Sequence, residues 1–495
     1  MLIRIEIQHK ELILRLLIKK IMQEYKIYIG GEFSKTGEKL EVLNPFDNSI
    51  VAETCLAGKN ELETAIEKAL SVQSEMRDLP LYKRYGILMQ IARQLEEKSN
   101  KLALILALEA GKPFKYAMGE IKRAIQVFTI AAEESKRLPK EYISIDWTAA
   151  GDKKEGLVKY FPVGLIAGIA PFNFPLNLAA HKIAPAIASG NPIIIKPARL
   201  TPLSVLELAK IIDQTELPKG AFSVLPMDRE AGNQLVTDER FNMLSFTGSP
   251  NVGWQMKANA GKKKVALELG GNAGVIVSDQ SDLELAVKKC LVGGYAYSGQ
   301  VCIHVQRIIV HEKVFDKFVE RFITETKKLK FGAPDDEATD ISVMIDEANA
   351  KRVETWVDEA VNDGAAILYG GKRKGAYFEP TIITNTKREM KVCALEIFGP
   401  VVTIEKFSHF SQAIDMINDS EYGLQAGVFT KFISEMNQSF NEIEAGGVII
   451  NDVPTFRVDH MPYGGIKNSG FGREGVKYAI QEMMEPRLLI KNTNY

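Results

Sequence analysis

The sequence predicts an α/β protein made of two consecutive doubly wound α/β lobes with an added β-hairpin arm. From residue 163 to residue 270, short apolar segments alternate with stretches in which apolar residues recur at helical spacing. A second alternating series runs from residue 274 to residue 451. Such alternation favours parallel sheets that are covered by helices on both faces. Two lobes also suit a chain of 495 residues, which is too long for one ordinary hydrophobic core.

The N-terminal part predicts a small β unit followed by helices. Residues 27–34 predict a short β segment that turns at Gly30 and Gly31. Apolar residues then recur at helical spacing over residues 60–76, 81–112 and 115–138.

Residues 1–21 are expected to be an N-terminal extension, with Met22 as an alternative start. The segment is apolar and basic, but charged residues such as Arg4 and Arg15 interrupt it. These charges argue against a membrane-spanning helix, and no uninterrupted apolar run of signal-peptide length is present.

A hairpin arm is predicted between the N-terminal helices and the first lobe. Residues 142–147 and 157–163 are apolar and rich in β-forming residues, and a polar loop with Gly151 and Asp152 joins them. Two such segments with a polar turn are typical of a β-hairpin.

Each lobe contains compact apolar segments that predict its strands. In the first lobe these segments are VGLIAGIA, PIIIKPA, FSVLP, MLSFTG and VALELG, and helices are expected at 175–189, 202–213, 229–237 and 250–260. In the second lobe they are GVIV, RIIVH, VVTIEKF and GGVIIN, with helices that begin at residues 281 and 313.

Composition excludes several classes of function. Lys+Arg 62 against Asp+Glu 63 leaves a formal charge of -1, which gives no support to a nucleic-acid or membrane partner. The four cysteines, Cys55, Cys290, Cys302 and Cys393, are scattered without a CxxC pair or metal-ligand spacing. We therefore expect neither a disulfide framework nor a metal site, and a cytoplasmic protein.

Two glycine motifs compete as a dinucleotide site. The segment 470–475 matches GxGxxG, but no apolar strand leads into it, so a structural loop is the better interpretation. In contrast, the strand MLSFT runs directly into Gly248 and Ser249, and Pro250 suits a first helical turn. Exposed N–H groups at such a turn bind a pyrophosphate, and Gly253 completes this motif.

Three separated residues outline chemistry on a carbonyl group. Cys302 is a candidate thiol nucleophile, Glu268 a candidate carboxylate base, and Asn173 an amide that could donate to an oxyanion. A turn-forming role for Asn173 between two prolines is the alternative. Lys196 ends the strand PIIIK, where a side chain either enters the ligand crevice of an open α/β sheet or simply reaches solvent.

These segments together resemble the NAD(P)-dependent aldehyde dehydrogenase superfamily. The resemblance rests on PFNFP, KPA, FTGSPNVG, LELGG, GQVC and EIFGP, in the order of the family and from about Tyr25 to the C-terminus. Further segments, among them CIHVQR and RVDHMPYGGIKNSGFGREG, are similar to the branch of lactaldehyde, non-phosphorylating glyceraldehyde-type and succinate-semialdehyde dehydrogenases. Members of that branch oxidise short polar aldehydes.

The resemblance implies a role for each of these residues. Cys302 would attack the aldehyde to form a thiohemiacetal, Asn173 would stabilise its oxyanion, and Glu268 would activate the water that hydrolyses the thioester. The residues implied in cofactor binding are Pro171, Lys196, Arg199, Gly248, Ser249, Gly253, Leu269, Glu396 and Phe398. Residues implied near the substrate are His181, Phe456 and His460.

The sequence departs from the pattern of the family at three positions, one of which is Leu395, since Glu is frequent before Glu396. Arg199 stands where strictly NAD-dependent members often have Glu, so either NAD or NADP is expected, with NADP accepted. Tyr297 replaces an Asn that is common five residues before the nucleophile, which leaves the packing of that loop open.

The resemblance also implies domain boundaries and a homodimer or homotetramer. After the extension at 1–21, residues 22–141 and 162–269 would form a Rossmann-like cofactor domain, and residues 270–462 the catalytic domain. Residues 142–161 and 463–495 would form the oligomerisation arm and C-terminal segment.

The sequence is also compatible with two rival functions. A cysteine hydrolase or esterase would use Cys302 with His181, His304 or His460, but leaves Lys196 and the Gly248 motif unexplained. A non-catalytic binding protein on the same scaffold would have no need of the candidate nucleophile, base and amide.

Overall fold

Residues 24–493 are described by the computed structural model of the chain. The predicted extension of residues 1–21, and Met22 as an alternative start, lie outside these residues.

The N-terminal part contains four short strands and then five helices. They are β1 (Ile27–Ile29), β2 (Glu32–Ser34), β3 (Lys39–Leu43), β4 (Ile50–Cys55), α1 (Lys59–Ser71), α2 (Gln73–Asp78), α3 (Leu81–Glu97), α4 (Ser99–Ala110) and α5 (Phe114–Ser135). The helical spacing over residues 81–112 belongs to two helices, because the chain breaks at Lys98 (φ -101°, ψ 11°). Val72 (φ -103°, ψ 5°) divides the segment with helical spacing at 60–76 in the same way. The apolar spacing continues across both one-residue breaks, so periodicity does not reveal them.

The first lobe contains the five strands and four helices that the sequence predicts. They are β7 (Ile166–Ile169), α6 (Pro175–Ser189), β8 (Ile193–Lys196), α7 (Leu203–Ile212), β9 (Phe222–Val224), α8 (Arg229–Thr237), β10 (Met243–Thr247), α9 (Pro250–Asn259) and β11 (Lys264–Glu268). The strands pair in parallel in the order β9-β8-β7-β10-β11, and β1 and β2 extend the sheet beyond β9. The carboxyl ends of β8, β10 and β11 therefore lie at one edge, which brings together Lys196, Thr247 and Glu268.

The second lobe is built on a seven-stranded sheet in the order β14-β17-β18-β13-β12-β20-β21. Its strands and helices are β12 (Ala273–Val277), α10 (Leu283–Tyr295), β13 (Val305–His311), α11 (Glu312–Thr326), α12 (Glu347–Asn362), β14 (Ala366–Tyr369), β15 (Arg373–Lys374), β16 (Tyr377–Phe378), β17 (Thr381–Thr384), α13 (Lys391–Ala394), β18 (Val401–Phe407), α14 (Phe410–Asn418), β19 (Tyr422–Gly423), β20 (Gln425–Phe429), α15 (Ile433–Glu442) and β21 (Gly447–Ile450). The sequence patterns did not single out β14, β17 and β20, although all three belong to this sheet. Cys302 lies in the loop between α10 and β13.

The C-terminal segment returns to both the first sheet and the arm. It contains β22 (Ile466–Lys467), β23 (Gly470–Phe471), α16 (Val476–Glu482) and β24 (Met484–Asn492). The segment that matches GxGxxG contributes β23, which pairs antiparallel with β11. A side chain at Gly470 would have its Cβ 2.7 Å from the Leu267 carbonyl oxygen. Close approach of two backbones thus accounts for this glycine.

The predicted hairpin is present as β5 (Lys140–Ser144) and β6 (Lys154–Pro162). β24 pairs along the other edge of β6, which gives a three-stranded antiparallel sheet. Leu488, Leu489 and Ile490 on β24 are about half exposed. The role of this arm in oligomerisation and the domain boundaries given above stay predictions.

No helix within residues 24–493 is both long enough and apolar enough to cross a bilayer. Over the same residues, no cluster of His, Cys, Asp and Glu side chains has the composition of a metal site.

Candidate active site

One cavity of about 560 Å³ brings together most of the residues that the sequence singled out. All three candidate catalytic residues line it: Asn173, Glu268 and Cys302. Six of the candidate cofactor residues also line it: Pro171, Gly248, Ser249, Leu269, Glu396 and Phe398. The edge of the first sheet forms one wall, and the loop before β13 forms another.

Cys302 is half-buried and lines this cavity, and its sulfur lies 3.2 Å from the hydroxyl of Tyr463. Burial raises the pKa of the Cys302 thiol to about 11, although the Tyr463 hydroxyl and Arg457 act against the rise. The nucleophile is therefore protonated at neutral pH in the free protein, so a base must remove its proton.

Asn173 is held by both ends of its amide. Its Nδ2 donates to the Gln300 carbonyl oxygen at 3.0 Å, and its Oδ1 accepts from the Phe174 backbone N–H at 3.1 Å. An amide nitrogen carries two hydrogens, so one N–H remains for a ligand. This arrangement provides a fixed donor at the cavity wall.

Glu268 ends β11 and is buried. Its Oε2 has no hydrogen-bond partner among residues 24–493. Burial raises the pKa of the Glu268 carboxyl well above its ordinary value, and the Glu474 carboxylate adds to the rise. A carboxyl group with a raised pKa loses its proton, and so becomes a base, only at a higher pH than an ordinary carboxyl group does.

A cluster of mostly buried charged side chains, of which sequence reasoning named only His181, adjoins Glu268 and Tyr463. Its members are Arg123, His181, Lys182, Arg457, Asp459 and Glu474. We call this set the charged cluster. The Lys182 ammonium donates to Ser245 and Thr247 and lies 3.7 Å from Glu474. A lysine in the middle of the apolar helix AAHKIAPAIA was the signal that could have revealed it.

Within the charged cluster, the guanidinium of Arg457 lies 3.6 Å from the centre of the Tyr463 ring. Arg457 also donates to Glu474 at 2.9 Å. Although burial acts against it, nearby cations lower the pKa of Glu474 to about 2, so this carboxylate is ionised at neutral pH. Tyr463 thus links the charged cluster directly to the candidate nucleophile.

A second cavity of about 740 Å³ contains Lys196, Arg199 and a further arginine, Arg229. A Cβ at Gly232 would lie 2.6 Å from the Lys196 Cε, so a side chain there would displace the end of the lysine. Burial lowers the pKa of Lys196, and Asp228 acts against that change. A cationic crevice at the carboxyl end of β8 fits the adenosine end of a dinucleotide.

The Gly248 turn lies between these cavities and begins α9. Its N–H donates to the Glu268 carbonyl oxygen at 3.0 Å. Gly253 lines neither cavity; instead, a Cβ there would lie 2.4 Å from the Leu269 side chain. Pro250 opens a helix whose Ser249 cap makes no side-chain bond, so this hydroxyl is available to a phosphate.

Glu396 faces the opposite side of the catalytic cavity. It accepts from the Gly271 N–H at 3.1 Å, and burial raises its pKa to about 7. A Cβ at Gly270 would lie 2.1 Å from the Glu396 Oε2. Phe398 has a left-handed backbone (φ 44°), and its ring meets that of Phe172 edge-on at 5.8 Å. The glycines are closely packed, the Ser249 hydroxyl is free, and the Glu396 carboxylate can accept a hydrogen bond from a ribose. These features fit a bound NAD or NADP.

The three histidines proposed above, His181, His304 and His460, do not contact the Cys302 sulfur. His181 is buried and pairs with Asp459 at 2.8 Å, and His304 contacts the Gly294 carbonyl oxygen at 2.9 Å. His460 is exposed, and neither it nor the exposed Phe456 lines the catalytic cavity. A cysteine hydrolase needs a histidine beside its thiol, so this geometry does not favour that rival.

Comparison with known proteins agrees with this geometry. The model of the aldehyde dehydrogenase family matches residues 33–489. The chain belongs to the aldehyde dehydrogenase family. The fold class and enzyme class inferred from the sequence are thereby confirmed: it is an NAD(P)-dependent aldehyde dehydrogenase.

Curated relatives of this aldehyde dehydrogenase fall in the branch that its motifs resemble. It is 43% identical over 472 residues to 3-sulfolactaldehyde dehydrogenase of Priestia aryabhattai, covering 95% of this chain and 98% of that one. It is 43% identical over 469 residues to lactaldehyde dehydrogenase of Methanocaldococcus jannaschii, covering 94% and 99%.

Two solved structures are similar over nearly the whole enzyme. Aldehyde dehydrogenase 21 of Physcomitrella patens, in complex with the reaction product succinate, has a TM-score of 0.94 at 44% identity and covers 95% of this chain and 99% of that one. Glyceraldehyde-3-phosphate dehydrogenase GapN of Methanocaldococcus jannaschii, complexed with NADP, has a TM-score of 0.88 at 42% identity and covers 92% and 99%.

Proposed function

We propose that this aldehyde dehydrogenase oxidises a short aldehyde that carries an anionic group, and releases the free carboxylic acid. The observation that carries the proposal is Arg457. Its side chain is 5% exposed, and it stacks on the Tyr463 ring whose hydroxyl contacts the Cys302 sulfur. Arg457 Nε has no hydrogen-bond partner among the described residues. A buried guanidinium with an unused donor favours an anionic ligand.

The surroundings of Arg457 contain further polar atoms without hydrogen-bond partners in residues 24–493. These atoms are Asn177 Nδ2 and Oδ1, His181 Nδ1, Glu268 Oε2 and Glu474 Oε1. Asn177 and His181 are four residues apart on α6 and so share a face of the helix. An unpartnered buried group costs about 1–3 kcal/mol. A polar substrate would offset that cost, whereas an apolar aldehyde would not.

The charge balance of the charged cluster favours an anion as well. It contains three basic side chains, Arg123, Lys182 and Arg457, but two carboxylates, Asp459 and Glu474. One basic side chain is in excess while Glu268 is protonated. Three of the relatives support this class of substrate, because sulfolactaldehyde, succinate and glyceraldehyde 3-phosphate each carry an anionic group.

In the proposed mechanism, Glu268 takes the thiol proton, Cys302 attacks the aldehyde carbon, and Glu268 passes the proton on to solvent before hydrolysis begins. The resulting oxyanion receives the free N–H of Asn173, a contact that is worth about 10²–10³ in rate at comparable sites. When bound, NAD or NADP supplies the nicotinamide ring that accepts hydride. Cys302 then carries a thioester, and Glu268 removes a proton from the water that hydrolyses it.

A matched pair of aldehydes tests the proposed function. We expect kcat/KM for 4-oxobutanoate to exceed that for butanal, which has the same chain length without the carboxylate. The formation of reduced dinucleotide, followed by absorbance, and identification of the acid product measure both. Equal values for the two aldehydes would contradict the proposed class of substrate.

Replacing Arg457 with Met should reduce kcat/KM for 4-oxobutanoate by about 10–100-fold, since a hydrogen bond to a charged group contributes about 1.5–3 kcal/mol. Activity on butanal should change far less. Arg457→Lys, which keeps the charge, is expected to retain part of the preference. Equal losses on both aldehydes would indicate general damage to the site, and the thermal midpoint of each variant shows whether the fold is kept.

We also propose that NADP is accepted, because Arg199 and Arg229 line the cavity that contains Lys196. Arg199→Glu and Arg229→Glu should each lower the ratio of kcat/KM for NADP to that for NAD by about tenfold or more, since a carboxylate repels the 2′-phosphate. Arg93→Glu is a matched control at an exposed position outside this cavity. An unchanged ratio in both test variants would show that the arginines point to solvent.

A further inference from the structure

A fully buried lysine lies directly behind the amide that is proposed to bind the oxyanion. Lys112 Nζ donates to the Asn173 carbonyl oxygen at 2.6 Å and forms an ion pair with Glu120. Both side chains of the pair are 0% exposed. Burial of an ion pair is costly unless additional hydrogen bonds satisfy the charges, so the partners of these two groups are informative.

The second carboxylate oxygen of Glu120 caps the first turn of α6. Its Oε1 accepts from the backbone N–H groups of Leu176 and Asn177, at 3.0 and 3.1 Å. The residue that precedes this helix, Phe174, provides no side-chain cap. Glu120 therefore supplies the acceptor that the helix start lacks, where a negative charge is also favoured by the helix dipole. The ion pair thus fixes Asn173 through its carbonyl and through the turn that follows it.

The same ammonium also contacts the loop that carries the nucleophile. Lys112 Nζ lies 4.0 Å from the centre of the Phe174 ring and 4.4 Å from that of Tyr297. The Tyr297 hydroxyl donates to the Ala110 carbonyl oxygen at 2.9 Å. Tyr297 has a left-handed backbone (φ 49°), a conformation that costs about 1–3 kcal/mol unless the surroundings impose it. The hydrogen bond to Ala110 and the contact with Lys112 hold Tyr297 in this conformation.

We propose that Lys112 and Glu120 are positioning residues, which hold the amide of Asn173 where the oxyanion forms, and that Tyr297 joins the Cys302 loop to the same ammonium. The Asn173 segment and the Cys302 loop are joined by the hydrogen bond from Asn173 Nδ2 to the Gln300 carbonyl oxygen. Gln300 is three residues after Tyr297. Displacement of a reacting group by about 1 Å costs on the order of 10²-fold in rate. The inference rests on the proposed role of Asn173 as oxyanion donor.

A double-mutant cycle tests the inference. Lys112→Met should lower kcat about 10–100-fold with little change in KM, because the amide is displaced while the substrate site is kept. In the Asn173→Ala background, the same change should cause no further loss, because the group that it positions is gone. Lys112→Arg should restore part of the rate, and Tyr297→Phe should lose a smaller part of it.

Lys101→Met is the matched control, since Lys101 on the neighbouring α4 forms a half-buried ion pair with Glu207 at 2.8 Å that does not touch the cavity. It should leave kcat unchanged. Wild-type kcat in Lys112→Met, or losses that simply add in the double variant, would overturn this inference but not the proposed mechanism. If Asn173→Ala keeps the wild-type rate, the proposed mechanism fails and the inference fails with it. Should Lys112→Met not fold, Lys112→Arg and Tyr297→Phe, each combined with Asn173→Ala, decide the same question.

Discussion

Replacing Cys302 with Ala is expected to reduce kcat/KM for aldehyde oxidation by about 10⁶-fold, the scale on which removal of a covalent nucleophile acts in hydrolases. The reason is that no other thiol among the described residues lines the catalytic cavity. Binding of the dinucleotide should survive, because the sulfur contacts Tyr463 rather than a residue of the Lys196 cavity. Initial rates with 4-oxobutanoate and a fluorescence titration with NADPH measure the two properties.

Cys55→Ala serves as the control for this prediction, because Cys55 is a buried cysteine of β4 that lies outside the catalytic cavity. A Cys302→Ala protein that retains more than about a hundredth of the activity would place the nucleophile elsewhere.

The pKa of the thiol gives an independent check on Cys302. Because burial raises this pKa to about 11, the thiolate fraction of the free enzyme should grow about tenfold for each pH unit below that value. The rate of alkylation by iodoacetamide, measured without dinucleotide, should rise accordingly between pH 7 and pH 10. A rate that levels off near pH 7 would mean that the thiol is already activated in the free enzyme.

Replacing Glu268 with Gln is expected to lower steady-state kcat by about 10²–10⁴-fold, the usual contribution of a positioned general base. If Glu268 acts mainly in thioester hydrolysis, the acyl-enzyme should accumulate. Rapid mixing should then show a burst of reduced dinucleotide close to one equivalent per active site, followed by slow turnover. Loss of the burst together with turnover would show that the attack by Cys302, rather than thioester hydrolysis, is the step that depends most on Glu268.

The pH dependence of Glu268 has a definite sign. Its pKa is raised well above the ordinary value, so wild-type kcat should rise as the pH increases through the raised pKa, and Glu268→Gln should lack this rise. The folded state favours the protonated carboxyl, so its stabilising contribution is complete below the ordinary pKa and is lost as the pH rises through the raised one. The thermal midpoint of Glu268→Gln should therefore increase relative to that of the wild type as the pH rises.

Glu405→Gln is the matched control for these measurements. Burial also raises the pKa of Glu405, whose carboxylate accepts from Thr386 on the far side of the second lobe. A similar change of kcat in Glu405→Gln would show that the effect does not belong to the catalytic cavity.

Local patterns in the sequence predicted much of the first lobe. The helix expected at residues 175–189 has those bounds in the structure, because Pro175 starts it and Gly190, with a left-handed backbone (φ 88°), ends it. Lys196 ends β8 as its pattern indicates, since Pro197 cannot continue the ladder. The turn at Gly248 was also predictable, because a β-strand and a helix with Pro at its first position flank it. All these signals depend on neighbours within a few residues.

The sequence by itself determined the alternation of strands and helices and, through motifs, the candidate nucleophile, base and amide. Only the tertiary structure decided that Arg457 and Lys182, far apart in the chain, share Glu474 as a partner. Packing also decided that the Cys302 thiol has a raised pKa. The physical reason is that periodicity and turn chemistry report the conformation of a few consecutive residues. Burial and the distance between charges depend instead on which remote segments pack together.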